Sequence, residues 1–197
     1  MNARERQGRK PRADVQRNRV ALLEAAQRHF LRDGVGTSLE AVAKEAGVGP
    51  GTLYRHFPTR EALLAAVLQS RTEELVTRRE DIASIDDAST ALTQWLRAME
   101  DYLSAYSGLP EPLMAATRAQ DPDNPLTVPC DELIATTGEY VRAAQRTGDV
   151  RPSATGYDLF LAACSVAWIK GTGAAGESVD RLRALIANGY REPDGQQ

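Results

Sequence analysis

Two glycines and a proline stand together in GVGPGTLYRHFPTREALL, residues 47–64, at the start of a short helical pattern. Pro50 suits the first position of a helix, where its missing N–H would have no helical partner in any case. Gly49 and Gly51 remove side-chain bulk, so backbone N–H groups at the helix N-terminus can approach another molecule closely. Because these groups and the helix dipole attract negative charge, the pattern indicates a helix end that binds an anion.

Hydrogen-bonding side chains follow directly in this pattern. Thr52, Tyr54 and His56 supply hydroxyl and imidazole groups that can reach phosphate oxygens. Thr37 and Arg60 lie at the starts of the flanking helical patterns, where the helix dipole also favours an anion. Phosphate binding is the chemistry that these residues suit. A packing role for Tyr54, closing a small helical unit, is the alternative.

The chain that positions these residues has a helical pattern almost everywhere. Apolar residues recur at helical spacing, and alternating strand patterns are nearly absent. The pattern predicts an all-α fold of about nine helices. They cover residues 16–32, a short segment ending at Gly47, a second short segment from Pro50, and residues 60–80, 87–107, 111–118, 126–147, 155–170 and 178–190.

The first three helices form a unit of their own. Thr37 is expected to cap the second helix with Glu40 reaching back to it, and Gly47 to end that helix. A short capped helix, a tight turn and a second short helix make a helix-turn-helix, whose second helix enters the major groove of DNA. Thr59 is expected to cap the long helix that follows, and Thr155 the helix at 155–170.

Charge divides the chain at about the same place. Residues 1–60 contain 12 Lys or Arg and 6 Asp or Glu, a net +6, whereas residues 61–197 contain 12 and 21, a net −9. A basic head on an acidic body indicates that the head alone meets a polyanion. A chance imbalance on a solvated surface is the alternative.

The sequence gives little support for a catalytic site, a metal site or a cofactor site. His29 and His56, the two histidines, lie in the basic head, and no Cys/His spacing suits a metal. Cys130 and Cys164 lie far apart and are expected to be small buried residues. GTGAAG at 171–176 matches a dinucleotide-binding glycine motif, but the run before it is too long for a strand and too few residues follow to build a sheet. We therefore expect neither an enzyme nor a cofactor.

The head resembles that of TetR-type bacterial transcriptional regulators. LLEAAQRHFLRDG, SLEAVAKEAGVGPGTLYRHFPTREALL and the preceding basic GRKPR follow that family's pattern nearly position by position, over roughly residues 15–68. The resemblance implies an all-helical homodimer that binds a palindromic operator in double-stranded DNA and releases it when a small molecule enters the second domain. It also places residues 49–52 nearest the bases, and it assigns the DNA backbone to Thr37, Thr52, Tyr54, His56 and Arg60.

Three positions depart from the family pattern. Gly49 and Pro50 stand where the family commonly has serine and a polar or basic residue, so base readout by this helix should be sparse. Lys44 is expected to take over part of the base readout, together with Arg9, Lys10 and Arg12, which are expected to reach into a minor groove. His29 replaces an apolar residue and is expected to be partly exposed on its helix.

Beyond the head, the helices at 87–107 and 126–147 both turn aromatic or polarisable groups to one side. Such stripes are typical of ordinary core, but a helical domain attached to this head usually holds a cavity, and the stripes would suit a mostly apolar effector. An anionic effector is disfavoured because neither stripe clearly carries a Lys or Arg. The predicted ligand-binding residues are Trp95, Met99, Tyr102, Tyr106, Cys130, Ile134, Thr137 and Val141.

The helix at 155–170 is apolar on too many faces for one neighbour. Together with the helix at 178–190 it is expected to build a two-fold, four-helix interface, which makes the protein a homodimer. The predicted interface residues are Phe160, Ala163, Ala167, Leu182 and Ile186.

The sequence thus predicts a cytoplasmic, ligand-responsive transcriptional repressor with no membrane span. Two alternatives stay open: a constitutive architectural DNA-binding protein without an effector, and a helical enzyme that reuses the motif. We expect a mobile basic arm at residues 1–14, a helix-turn-helix domain at 15–60, an effector-binding and dimerisation domain at 61–191, and a mobile tail at 192–197.

Overall fold

A computed structural model describes residues 9–192, with the side chains of residues 13–192 except residue 70. Within this part of the chain there are nine helices and no strand, which confirms the predicted all-α class. The helices are α1 Arg9–Asp33, α2 Leu39–Glu45, α3 Pro50–His56, α4 Arg60–Ala83, α5 Ala88–Leu103, α6 Pro110–Ala119, α7 Thr127–Arg146, α8 Gly156–Gly171 and α9 Gly176–Tyr190.

The chain divides into two compact units, Met1–Leu68 and Gln69–Gln197, so the division falls inside α4 rather than at its start. We call them the head and the body. α1 begins at Arg9, so the described part of the predicted mobile arm is helical. Residues 1–8 of that arm, and all but Glu192 of the predicted tail, lie outside the described residues.

The head is held together by apolar side chains from α1, α2, α3 and the start of α4. Leu22, Phe30, Val42 and Leu53 are fully buried, and Phe57 nearly so. These residues come from each helix at the helical spacing that the sequence shows, so one shared core fixes the direction of the short α3.

The caps of the head differ from the prediction at one point. Ser38, not Thr37, caps α2: its hydroxyl accepts from the Ala41 N–H at 3.3 Å and donates to Glu40 at 2.8 Å. Gly47 ends the helix as predicted, with a φ of +72° that favours glycine over any side chain. The helix therefore starts one residue later than a Thr37 cap would place it.

The two other predicted caps are confirmed. Thr59 accepts from the Ala62 N–H at 3.1 Å at the start of α4. Thr155 accepts from the Asp158 N–H at 3.2 Å, and the Asp158 carboxylate returns the contact to the Thr155 N–H, which makes a complete capping box for α8.

In the body, α8 packs against both α5 and α7. The approach of α7 and α8 is close because two glycines meet there: a Cβ on Gly156 would lie 2.6 Å from both the Ile134 carbonyl oxygen and the Gly138 nitrogen. α7 runs from Thr127 to Arg146, within one residue of the predicted 126–147, and Pro129 is tolerated because it lies in the first helical turn and needs no N–H there.

Candidate functional site

α3 presents the predicted DNA-contacting turn on the surface of the head. Gly49, Pro50 and Gly51 are exposed at its N-terminus. Tyr54 is 43% exposed, which leaves its hydroxyl available and argues against the packing role. Thr52 and His56 are half-buried, and Lys44 is exposed on α2. The helix-turn-helix thus brings a bare helix end and its flanking donors to one surface.

The glycines of this turn have no structural requirement in the head itself. A Cβ added at Gly49 or at Gly51 would meet no atom within 4 Å, and neither residue has a positive φ. Alanine would therefore fit at both positions in the protein alone. The missing side chains matter only if something outside the chain comes close to the helix end, as DNA in a major groove would.

Replacing Gly51 by alanine should separate stability from DNA binding. The free energy of unfolding should rise by roughly 0.5 kcal/mol, because alanine is the better helix former and the space is open. Affinity for operator DNA should fall by about tenfold, because the methyl group enters the space between helix and bases. Chemical denaturation and a fluorescence-anisotropy titration measure the two effects.

Gly36→Ala is the matched control, because Gly36 also has open space around it but lies in the loop before α2. It should leave operator affinity unchanged. Wild-type affinity in Gly51→Ala would show that the helix end does not approach the bases.

Arg60, a predicted DNA-backbone contact, also makes hydrogen bonds inside the head that the sequence did not predict. Its Nη1 donates to the backbone carbonyls of Val35 and Thr37, each at 2.7 Å. A half-buried guanidinium held by two carbonyls braces the loop between α1 and α2, so its principal contacts are inside the head. This long-range contact joins residues that the helical pattern alone does not relate.

Thr37 and His29 are joined in the same region. The Thr37 hydroxyl lies 3.3 Å from His29 Nδ1, and His29 Nε2 lies 2.8 Å from the carboxylate of Glu45. His29 is only 5% exposed, so the prediction of a partly exposed histidine is wrong. Glu45 comes from the end of α2, and a buried imidazole paired with it ties α1 to α2.

Arg55 is not among the predicted DNA-binding residues, but it is exposed on the same turn of α3. Its Nε donates to the Gly51 carbonyl at 3.0 Å, so the guanidinium lies over the same turn of α3 that carries the glycines. The i to i+4 spacing from Gly51 was the available signal. Arg9, Lys10 and Arg12 lie in the first turns of α1, and their side chains are outside the described ones.

In the body, the predicted ligand-binding stripe is mostly packed core. Trp95 Nε1 donates to the Thr137 hydroxyl at 2.9 Å, and that hydroxyl donates to the Leu133 carbonyl at 2.7 Å. Burial raises the pKa of the Cys130 thiol to about 12, so it stays protonated. Met99, Tyr102, Tyr106 and Val141 are also buried, and Ile134 is half-buried.

A cleft of about 420 Å³ lies beside this core, between the second half of α4, α5 and α7. Of the predicted set, Trp95 and Tyr102 line it. Its other walls come from residues that the sequence did not single out, because the outer face of α7 and the second half of α4 have no pattern that marks a cavity. They are Thr72, Leu75, Val76, Arg79, Pro129, Glu132, Leu133, Ala135, Thr136 and Glu139.

Charge at the cleft is negative. Arg79 is paired with Glu139 at 2.7 Å, which neutralises both groups. Glu132 is exposed at the same wall and has no ion-pair partner among the described side chains. An unbalanced carboxylate disfavours an anionic ligand at this position.

The predicted dimer residues fall into two groups. Phe160, Ala163 and Ala167 are buried within a single body, so little of their surface is left for a partner to cover. Leu182 and Ile186 on α9 are half-buried. A helix that is apolar all round does not show by itself which face a partner would cover. The large apolar residues that are exposed on these helices are Tyr157, Trp168 and Leu185.

Family models match both units of the chain. The model of the bacterial regulatory proteins of the tetR family matches residues 22–67, which hold the helix-turn-helix. The model of the C-terminal domain of SbtR-like transcriptional regulators matches residues 87–192. Along the described residues, no helix combines the length and the apolar character needed to cross a membrane.

Comparisons with individual proteins also find regulators of transcription. The HTH-type transcriptional regulator UidR of Escherichia coli K12 is 38% identical over 74 residues, 36% of this chain and 38% of its own length, so the match spans well under half of that relative. The TetR transcriptional regulator SCO0520 from Streptomyces coelicolor is 31% identical over 90% of this chain and 99% of its own, with a TM-score of 0.53. The gamma-butyrolactone receptor, an ArpA-like protein, shares the fold at 22% identity, 90% coverage of each chain and a TM-score of 0.58.

Both units thus carry the features of one family. The chain belongs to the TetR family of bacterial transcriptional regulators, with an SbtR-like C-terminal domain, and it is a DNA-binding regulator rather than an enzyme.

Proposed function

We propose that this regulator is a dimeric repressor that binds a palindromic operator and releases it when a small, mostly apolar effector enters the body cleft. The observation that carries the proposal is the cleft of about 420 Å³ beside Trp95 and Tyr102. This volume lies in the range of small-molecule sites. As a regulator of bacterial transcription, the protein acts in the cytoplasm.

On the DNA side, α3 lies in the major groove with its glycine turn against the bases. Thr52, Tyr54 and His56 donate to phosphates, and Lys44 adds a charge from α2. Arg55 supplies the base contact that Gly49 and Pro50 lack, since its guanidinium lies over this turn and arginine pairs well with guanine. Arg60 and Thr37 position the loop between α1 and α2, and Arg9, Lys10 and Arg12 reach the adjacent minor groove.

Dimerisation uses the outward face of α8 and α9, which we define by the exposed Tyr157, Trp168 and Leu185 and the half-buried Leu161 and Leu182. A two-fold axis through this α8/α9 face presents two heads to a palindrome. Their separation then matches successive major grooves, about 34–36 Å apart.

The effector of the body cleft is mostly apolar and not anionic. Leu75, Val76, Trp95 and Leu133 offer apolar walls, and Thr136 offers a hydroxyl for orientation. The surplus charge of the cleft is the carboxylate of Glu132, so a neutral or cationic molecule fits and an anion does not.

α4 is the element that couples effector to operator. It starts at Arg60, directly after α3 and its short linker, and its second half forms a wall of the cleft. An effector that shifts α4 changes the position of α3 and so the spacing of the two heads. A hundredfold loss of DNA affinity requires about 2.7 kcal/mol of preference for the non-binding state.

The test begins with selection of binding sites from a random DNA pool, followed by a screen of small apolar compounds for release of the selected operator. We expect compounds that release wild-type protein to have no effect on Ala135→Trp, whose indole fills the exposed wall of the cleft. Without effector, this variant should bind the operator normally. Compounds that bind the body but leave operator affinity unchanged would favour the constitutive architectural DNA-binding protein instead.

A further inference from the structure

A second cavity lies on the other side of α5. This groove of about 390 Å³ runs between α5, α8 and α9 and shares no residue with the body cleft. Its floor is apolar, with Leu96 from α5, Leu159 and Val166 from α8, and small alanines beside them. We call it the α5/α9 groove.

The groove is open because α9 packs lightly on the body. Among its described residues, Val179 and Tyr190 are the two buried ones. Long side chains bridge the gap instead: Arg183 Nε donates to the Glu100 carboxylate at 2.7 Å. Ala184, the residue next to Arg183, is too small to fill the space between α9 and α5, so the groove stays open.

Charge in the groove is unevenly satisfied. Arg183 neutralises Glu100 and also donates to Asp180 at 2.9 Å, so one guanidinium serves both carboxylates. Burial raises the pKa of the Glu100 carboxyl, while Arg183 acts in the opposite direction. Arg97 lines the same groove and makes no ion pair or hydrogen bond among the described residues.

Arg191 adds a second positive charge to the lining of the groove. Within the described part of the chain, its side chain makes one long hydrogen bond, 3.4 Å to the Thr93 hydroxyl. Among the described residues, these two guanidinium groups at the edge of the apolar floor have no carboxylate partner.

We propose that the α5/α9 groove is a second small-molecule site, which binds a monoanionic amphiphile with its carboxylate at Arg97 and Arg191 and its chain on the apolar floor. The volume lies in the range of ligand sites, and guanidinium groups pair strongly with carboxylates. The ligand class is the opposite of that of the body cleft, where the unbalanced charge is negative. Such a ligand would join α5 to α9, one of the two helices of the proposed dimer face.

Decanoate is the probe, with decanol and decylamine as neutral and cationic analogues of the same chain length. Isothermal titration calorimetry should show decanoate binding with about tenfold higher affinity than either analogue. Arg97→Gln should weaken decanoate binding by about tenfold and leave decanol unchanged. Arg118→Gln removes an exposed arginine from α6, outside the groove, and should leave all three affinities unchanged.

Two filling variants locate the bound molecule. Ala184→Phe occupies the groove and should abolish decanoate binding, whereas Ala135→Trp occupies the body cleft and should leave it intact. Failure of wild-type protein to bind decanoate at about 1 mM would overturn the proposal. So would loss of binding in Ala135→Trp with retention in Ala184→Phe, because decanoate would then be a ligand of the body cleft. Neither result bears on release of the operator, which is tested separately.

Discussion

Replacing Gly156 by alanine should lower the free energy of unfolding of the body by about 3 kcal/mol, at the upper end of what overpacking costs. The added Cβ would lie 2.6 Å from the Ile134 carbonyl oxygen and 2.8 Å from the Gly138 Cα. These are backbone atoms of α7, which cannot rotate away as a flexible side chain can. The two helices must separate, and the apolar contacts between them loosen along their length. Urea denaturation followed by circular dichroism measures the loss.

Gly189→Ala is the matched control for this substitution. Gly189 also lies in a helix of the body, but a Cβ there would meet no atom within 4 Å. Alanine at that position should leave stability unchanged or raise it by up to about 1 kcal/mol. If Gly156→Ala unfolded at the wild-type urea concentration, α7 and α8 would not approach as closely as the structure places them.

Leu185→Glu should convert the dimer to monomers and remove operator binding. Leu185 is 70% exposed in a single chain, so glutamate there costs the isolated body little. In the proposed dimer, the two-fold symmetry buries two of these carboxylates, one from each subunit, and neither has a partner of opposite charge. A loss of about 2.7 kcal/mol of interface energy raises the dimer dissociation constant about a hundredfold. Sedimentation velocity and an operator titration measure the two losses.

Val128→Glu controls for charge and exposure. Val128 is 61% exposed and belongs to α7, which contributes no residue to the α8/α9 face. This variant should remain dimeric and bind the operator like the wild type. A wild-type protein that sediments as a monomer at micromolar concentration would contradict the proposed assembly.

The features that the sequence determined by itself are local ones. Gly47 with its positive φ, Thr59 and Thr155 as caps, and Pro50 at a helix start are all where the pattern predicted them. Each rests on interactions within a few residues, so the chain order is enough to place it. The all-α class and the position of the helix-turn-helix follow from the same local signals.

Tertiary structure decided what depends on residues distant in sequence. Arg60 turns to the carbonyls of Val35 and Thr37, and His29 is buried against Glu45, because packing of α1, α2 and α4 brings these groups together. Helical periodicity identifies an apolar side of each helix but not the neighbour that will cover it.

In the body, too, helical periodicity marks the apolar side of a helix but not the neighbour that covers it. α8 is apolar all round, so its sequence does not show that Phe160, Ala163 and Ala167 face the core while Trp168 faces outward. Stripes rich in aromatic residues are equally suited to a core and to a cavity wall, and only the spacing of three helices leaves an opening beside Trp95 and Tyr102. Cavities arise where side chains from different helices fail to meet, a property of the assembled helices that no single segment of sequence contains.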